Sequence, residues 1–359
     1  MKRRVNQAVG RNETRMRSIL RRGALTIAVL GAFAAAFVNG MHPKPNASTG
    51  LLLVVNKSDR TLSIVDPEAG RQLATVPVKG ITGHEVAASP DGQTAWVPIY
   101  GNSGVGLPGT DGRTVSVIDL KSRTVIDSVD LEAPNRPHGA VFGPTDGRLY
   151  VTAELTRSIK VIDPTARKLV DSIPTGEPES HMLVISSDGK RAYTSNVGAG
   201  TISAINLQHK KLLAVIPVSK VVQRIAITPD DQWVFTADQT KPELAVIDTR
   251  TNAVKTRVPL PDVGFGMTPT RDGNFLLIAH PGSDSLSFLD LHSMKVDQVI
   301  RVPSSPQEIL IRPDNQAAYV SCDESKQIAV INLRSRKIEK LIEVGTGADG
   351  LAWASAIHQ

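Results

Sequence analysis

Residues 182–218 read MLVISSDGKRAYTSNVGAGTISAINLQHKKLLAVIPV, and this stretch decides the fold. It divides into four short runs: MLVIS (182–186), RAYTSN (191–196), TISAIN (201–206) and KLLAVIPV (211–218). Each is rich in β-branched residues, which suit a pleated, half-buried surface. The first pair is joined through Asp188-Gly189, a dipeptide suited to a tight hairpin. Four such runs with turn signals every 8–12 residues describe a small antiparallel sheet.

The same unit recurs on both sides. A strand closing in Asp or Asn ends at Asp66, Asp119, Asp163, Asn206, Asp248, Asp290 and Asn332, with spacings of 53, 44, 43, 42, 42 and 42. A second marker, the turn at Asp91, Asp146, Asp188, Asp230, Asp272 and Asp314, has a first spacing of 55 and then holds at 42. Two markers with one period indicate a true repeat, and four strands per unit of about 42 residues indicate a β-propeller blade.

The ends set the blade number. LLLVVN (51–56) matches a second strand, and DGLAWAS (349–355) matches an inner strand with nothing after it. Pairing the two completes one blade from both termini, and closure leaves no long exposed edge. The expected fold is all-β: a seven-bladed β-propeller over residues 51–355, four antiparallel strands per blade, the last blade closed by N- and C-terminal strands. Residues 1–40 form a leader, 41–50 a linker and 356–359 a tail.

Tyr150-Val151-Thr152-Ala153, Val161-Ile162-Asp163 and the Pro-Asp-Gly turns resemble the YVTN-type repeat of extracytoplasmic seven-bladed propellers. The resemblance spans residues 51–355 and implies fold more than function. It implies kinship with surface-layer and periplasmic propellers and, more distantly, with haem d1-binding and quinoprotein-partner propellers. The Asn closing that motif stands at Asn56 and Asn196 and is replaced by Ile99, Ala153, Asp238, His280 and Cys322 elsewhere.

Charge narrows the function classes. The chain of 359 residues has 41 Lys+Arg and 35 Asp+Glu, a net of +6. Residues 1–40 alone carry +7, so the remaining 319 carry −1 and the case for a nucleic-acid partner lapses. A basic start, an uncharged apolar run from Ala24 to Val38 and small residues after it follow the order of a signal peptide. Its 15 apolar residues are short against the roughly 20 of a bilayer span. Cleavage after Gly40 or Ala36 gives a periplasmic or secreted protein; an uncleaved leader gives a membrane anchor, the sole membrane contact expected. A single Cys322 excludes intramolecular disulfides, Cys-type zinc modules and iron–sulfur clusters. The absence of a Cys-x-x-Cys-His run excludes covalent c-type haem.

Propeller ligands usually sit at the channel mouth, by fold-level analogy. One slot at the start of each inner strand reads His84, His138, His181, Gln223, Phe265, Gln307 and Asp349. Three successive blades thus offer imidazole, in a chain with eight histidines. Three imidazoles suit zinc, copper or iron and leave a coordination position open, as a metal-dependent lyase or hydrolase requires. Glu85, Glu154 and Glu179 lie beside them in sequence as candidate ligands, orienting groups or general bases. The opposing reading is a histidine copied by repeat duplication, in a non-catalytic scaffold that binds a small molecule or an extracytoplasmic protein or glycan.

Other features read as structure. Gly104-x-Gly106-x-x-Gly109 lies in an insertion between strands and is expected as a flexible lip over the channel. It lacks the following helix of a dinucleotide site, so no nucleotide is expected. His280 and Cys322 share the upper face, as a soft-metal pair or as a bland histidine and thiol. His209 and His292 fall in opposite-face hairpins and His358 in the tail. The Asp/Asn series should bond turn backbone, and Trp96, Trp233 and Trp353 should pack.

Overall fold

The structure, a computed structural model, describes residues 49–355. The leader, most of the linker and the tail with His358 lie outside the described residues. Seven four-stranded antiparallel sheets follow one another along the chain. The third blade is built from Ser180–Ile185, Arg191–Asn196, Thr201–Asn206 and Lys211–Pro217, close to the runs read from sequence. The seventh blade pairs Ala348–Ser355 with Gly50–Asn56, followed by Thr61–Asp66 and Arg71–Pro77. Leu52 faces Trp353 and Val54 faces Leu351 across that seam, so closure by both termini is observed. Among the described residues the one helical turn is Pro281–Ser283.

The core lies between blades. Seven apolar clusters each join one blade to the next; Trp96, Val115 and Val117 of the first blade, for example, meet Leu149, Val151 and Ile162 of the second. Second and third strands are buried throughout their length, as in the third blade, whereas the outer strand Lys211–Pro217 alternates exposed and partly buried positions. In every blade the pairing of third and fourth strands slips by one residue at the same level, for example between Ala204 and Ile205. A repeated bulge of this kind increases local twist.

The two sequence markers have local causes. The turn residue after the repeated Asp is left-handed in all six turns: Gly92, Gly147, Gly189, Asp231, Gly273 and Asn315 have φ between 59 and 71°. Glycine, Asp and Asn tolerate that region best. The Asp/Asn series bonds backbone as expected; Asp163 Oδ1 accepts from Thr165 N and Ala166 N at 2.9 Å each. Trp96 is buried and Trp353 stacks on Tyr319, so both pack.

The inner strands converge on the axis and position the site. In the first, fourth and fifth blades the paired inner strand is short (Ala87–Ala88, Ala226–Ile227 and Met267–Pro269). His84, Gln223 and Phe265 therefore precede paired residues instead of opening the strand. Single bridges between Gly83 and Ile99, and between Val222 and Asp238, still hold two of these segments at their blades.

Candidate functional site at the upper channel mouth

All seven members of the inner-strand slot line one cavity of about 200 Å³. His84, His138 and His181 come together on one side of it. The His138 and His181 rings are tilted by 33° with centroids 3.6 Å apart, and His84 lies 5.2 Å from His138. Tyr100, at the end of Thr94–Gly101, adds a fourth ring 5.1 Å from His84 and 5.4 Å from His138.

Glu154 organises this group. It follows directly on Leu149–Ala153 and is buried. One carboxylate oxygen accepts the Tyr100 hydroxyl at 2.8 Å, and the other meets His181 Nδ1 at 2.5 Å. Burial, followed by the Glu154 charge, pushes the Tyr100 pKa up, so the phenol keeps its proton. An Nδ1–H donated to Glu154 leaves Nε2 of His181 with a lone pair on the chamber side, 3.4 Å from Gln223 Nε2.

The other two imidazoles are neutral. Burial lowers His84 to about 4, although the Asp349 carboxylate lies 3.6 Å from its Nδ1. Burial, followed by its His181 neighbour, lowers His138 well below the usual range. His138 Nδ1 is buried without a hydrogen-bond partner.

A layer of ions closes the chamber below. Arg224 Nη1 donates to Glu85 at 2.5 Å and to Glu308 at 2.7 Å, and Nη2 donates to Asp349 at 2.9 Å. Phe265 lies under the guanidinium, 5.0 Å from its carbon. Burial works against the Arg224 charge, but Glu85, Glu308 and Asp349 outweigh it and raise its pKa. Burial likewise pushes Glu85 up to about 8 and Glu308 upward, against the pull of Arg224. Asp349 is held low, because Arg224 and Lys57 outweigh its burial. Lys57 bonds Asp323 at 2.8 Å and lies 3.5 Å from Asp349; burial opposes its charge, yet these acids hold it above the usual range.

The insertion forms the rim. Ser103, Gly104 and Val105 line the chamber. Buried Arg136 contacts this lip at three points: Asp111 at 2.6 Å, Gly104 O at 3.2 Å and Leu107 O at 2.7 Å. Strand Asp111–Asp119 follows it, where a dinucleotide site would have a helix.

The three candidate acids thus part company. Glu154 joins the imidazoles. Glu85 belongs to the ion layer beneath them. Glu179 lies beyond the rim, beside Gly106 and Gly198, where an added Cβ would approach its carboxylate to 3.0 and 2.3 Å. His280 is buried, with Nε2 2.7 Å from Ser287 Oγ and Nδ1 3.2 Å from Val263 O. Cys322 is buried, its thiol pushed up to about 12 by burial and 3.6 Å from Val320 O. His209 and His292 are exposed.

With zinc–nitrogen bonds of about 2.0–2.1 Å and tetrahedral angles, two ligating rings stand with centroids roughly 5 Å apart. His84 and His138, 5.2 Å apart, have that spacing; His138 and His181, 3.6 Å apart, do not. Among the described residues no group of three or more His, Cys, Asp or Glu side chains is disposed to hold a metal ion.

Tyr100, Lys57 and Arg224 were not singled out from sequence. Arg224 had a readable signal: the position after the slot runs Glu85, Gly139, Met182, Arg224, Gly266, Glu308 and Gly350, one cation and two acids among small or apolar residues. Tyr100 and Lys57 had one too: with Glu154 and Asp323 they occupy the position directly after Ile99, Asn56, Ala153 and Cys322, the slot near the ends of the second strands.

No curated protein matches the chain. The solved structures that share its fold include two that span most of the chain. A hydrazine synthase of Kuenenia stuttgartiensis is 20% identical over 82% of this chain and 99% of its own, with a TM-score of 0.69. A periplasmic gluconolactonase of Pseudomonas aeruginosa is 19% identical over 86% of this chain and 100% of its own, also with a TM-score of 0.69. Residues 68–257, more than half of the chain, match the family described as "Lactonase, 7-bladed beta-propeller". That segment carries His84, Tyr100, His138, Glu154, His181 and Arg224, and the protein belongs to the seven-bladed β-propeller lactonase family.

Proposed function

We propose that this protein hydrolyses a small polar lactone outside the cytoplasm, with His181 as general base. The observation that carries the reading is the Tyr100–Glu154–His181 relay, which aligns one imidazole and leaves its second nitrogen toward a chamber of about 200 Å³. Family membership and the gluconolactonase neighbour supply the substrate class. The leader and the periplasmic name of that neighbour supply the location.

The steps balance without a co-reactant. Water loses a proton to His181 Nε2 as its oxygen attacks the lactone carbonyl carbon. Neutral His84 and His138 offer N–H groups to the carbonyl oxygen, as a neutral imidazole can while a charged one would need more stabilisation. The ring C–O bond then breaks, the His181 proton passes to the departing alkoxide, and the product is an open hydroxy acid. Glu154 holds the ring orientation and stabilises the transient imidazolium. Lys57, charged and lining the same chamber, adds positive potential for the oxyanion and the product carboxylate.

The test is acid release from glucono-1,5-lactone and γ-butyrolactone, followed by pH-stat. Wild type should outpace buffer, and Glu154→Gln or His181→Ala should lower kcat by about 10²–10⁴-fold. Wild-type turnover equal to buffer defeats the reading in favour of a non-catalytic scaffold. Stoichiometric zinc, copper or iron that departs with the histidines replaces it by the metal-dependent one.

A further inference from the structure

Below the ion layer the channel opens again into a larger cavity of about 510 Å³, within the range of about 300–1,000 Å³ typical of small-molecule sites. Its wall is apolar and comes from the inner strands: Val141, Val184, Ile227, Met267, Leu310 and Leu351 are among the side chains that form it. Several of these, Val184, Ile227 and Leu310 included, are only half-buried, so their free surface faces this space. The wall belongs to no step of the hydrolysis derived above.

Its blind end is acidic. Arg224 and Asp349 border the upper chamber, whereas Glu85 and Glu308 border the lower one. Arg224 is thus reached from the upper side, and two of the three carboxyl groups it binds are what the lower side meets. The acids of this layer outnumber its guanidinium. Three carboxyl groups share Arg224; Lys57, on the upper side, is divided between Asp349 and Asp323, and Arg271 and Asp231, one charge of each sign, line the lower cavity as well. Burial pushes Glu85 up to about 8, so near neutral pH it holds a proton that an entering cation would displace.

The geometry points to a second binding site: the lower cavity takes a small cationic amphiphile, an alkyl- or arylammonium ion, with its ammonium against Glu308 and Glu85 and its chain along the apolar wall. A compact ammonium takes the place of the Glu85 proton, which leaves to solvent, and brings up to three donors, and the chain displaces water from apolar surface. A carboxylate of the same length would meet two acids, and an alcohol would bury its chain without answering the charge.

The probe is hexylammonium, titrated into the full protein at pH 7 and followed by calorimetry beside hexan-1-ol and hexanoate. Saturable binding of hexylammonium is expected, with the other two weaker by at least about tenfold. Glu308→Gln should bring hexylammonium down toward hexan-1-ol. Ile227→Trp, which fills the cavity, should remove binding of both while leaving lactone turnover unchanged. Hexanoate binding as tightly as hexylammonium, no saturation by about 10 mM, or full binding in Ile227→Trp would each overturn the site. Should Glu308→Gln not fold, the ligand series and Ile227→Trp decide the matter. Neither readout depends on whether the upper chamber hydrolyses lactones.

Discussion

The inner-strand slot that holds the three imidazoles and the position directly after it differ by one residue along the chain, yet their chemistry differs in kind. The first lines a chamber open above, and its histidines are neutral, close together and only partly satisfied; His138 Nδ1 has no partner. The second is a closed layer in which Arg224 is bonded to three carboxylates, flanked by glycines that let neighbouring strands approach. A Cβ on Gly266 would come within 1.8 Å of Gln307 O, and one on Gly350 within 2.5 Å of His84 O. In the upper chamber, adjustable groups with free nitrogens serve a ligand. Close-packed ones hold the blades in register, and of these Glu85 and Glu308 also border the lower cavity.

Removing the cation of the closed layer should have the largest effect. Arg224→Met leaves Glu85, Glu308 and Asp349 buried against one another, and breaking a buried ionic group in this way costs about 3–5 kcal/mol. Urea denaturation should show a loss of that size, with protonation of the acids recovering part of it below neutral pH. A loss under about 1 kcal/mol would erase the distinction between the two positions.

The next effect separates the same two positions by pH. A carboxyl with a folded pKa of about 8 against an ordinary value of 4.5 binds more protons folded than unfolded. Its contribution to stability is therefore full below about pH 4.5 and is lost as pH rises through about 8. His84 has the opposite sign. Lowered from 6.5 to about 4, it takes its proton more readily when unfolded, so stability rises with pH between those values. Above pH 6.5 the imidazole contribution is complete, and Glu85 and Glu308, both raised, are left to act against Arg224 and Asp349. Thermal unfolding should show stability declining from about pH 6.5 to 8, and Glu85→Gln should flatten most of that decline. An unchanged slope in the variant would place the titration elsewhere.

Periodicity explains what the sequence revealed. A 42-residue repeat exposes strand number, blade closure and the slot that lines the chamber, because each is a property of every blade. Glu154 was a candidate because it lies next to a repeated strand end, but its pairing with His181, which lies 27 residues on in the next blade, is a contact between blades that spacing does not encode. Tyr100 was missed for the same reason, since its partner Glu154 is 54 residues away. Glu179 shows the converse. It is adjacent in sequence to a lining residue, but a left-handed backbone (φ 55°) accompanies its placement beyond the rim.

The smallest predicted effect concerns a third kind of position, the slot at the ends of the second strands. Asn56 Nδ2 donates to Ser63 Oγ at 2.8 Å and Asn196 Nδ2 to Ser203 Oγ at 2.9 Å. In the fifth blade His280 meets Ser287 Oγ, the equivalent hydroxyl, at 2.7 Å. Its ring is as buried as that of His181, but both nitrogens have partners within the protein, so nothing is left to offer a ligand. His280→Asn returns the blade to the arrangement of the other two, with the Ser287 bond kept and the Val263 carbonyl contact given up. One neutral hydrogen bond is worth about 0.5–1.5 kcal/mol, so the melting temperature should fall by a few degrees at most and lactone turnover should be unchanged. His181→Asn, by contrast, should reduce turnover about as severely as His181→Ala. If His280→Asn lowers turnover comparably, burial with satisfied nitrogens does not distinguish a structural histidine from a working one in this propeller.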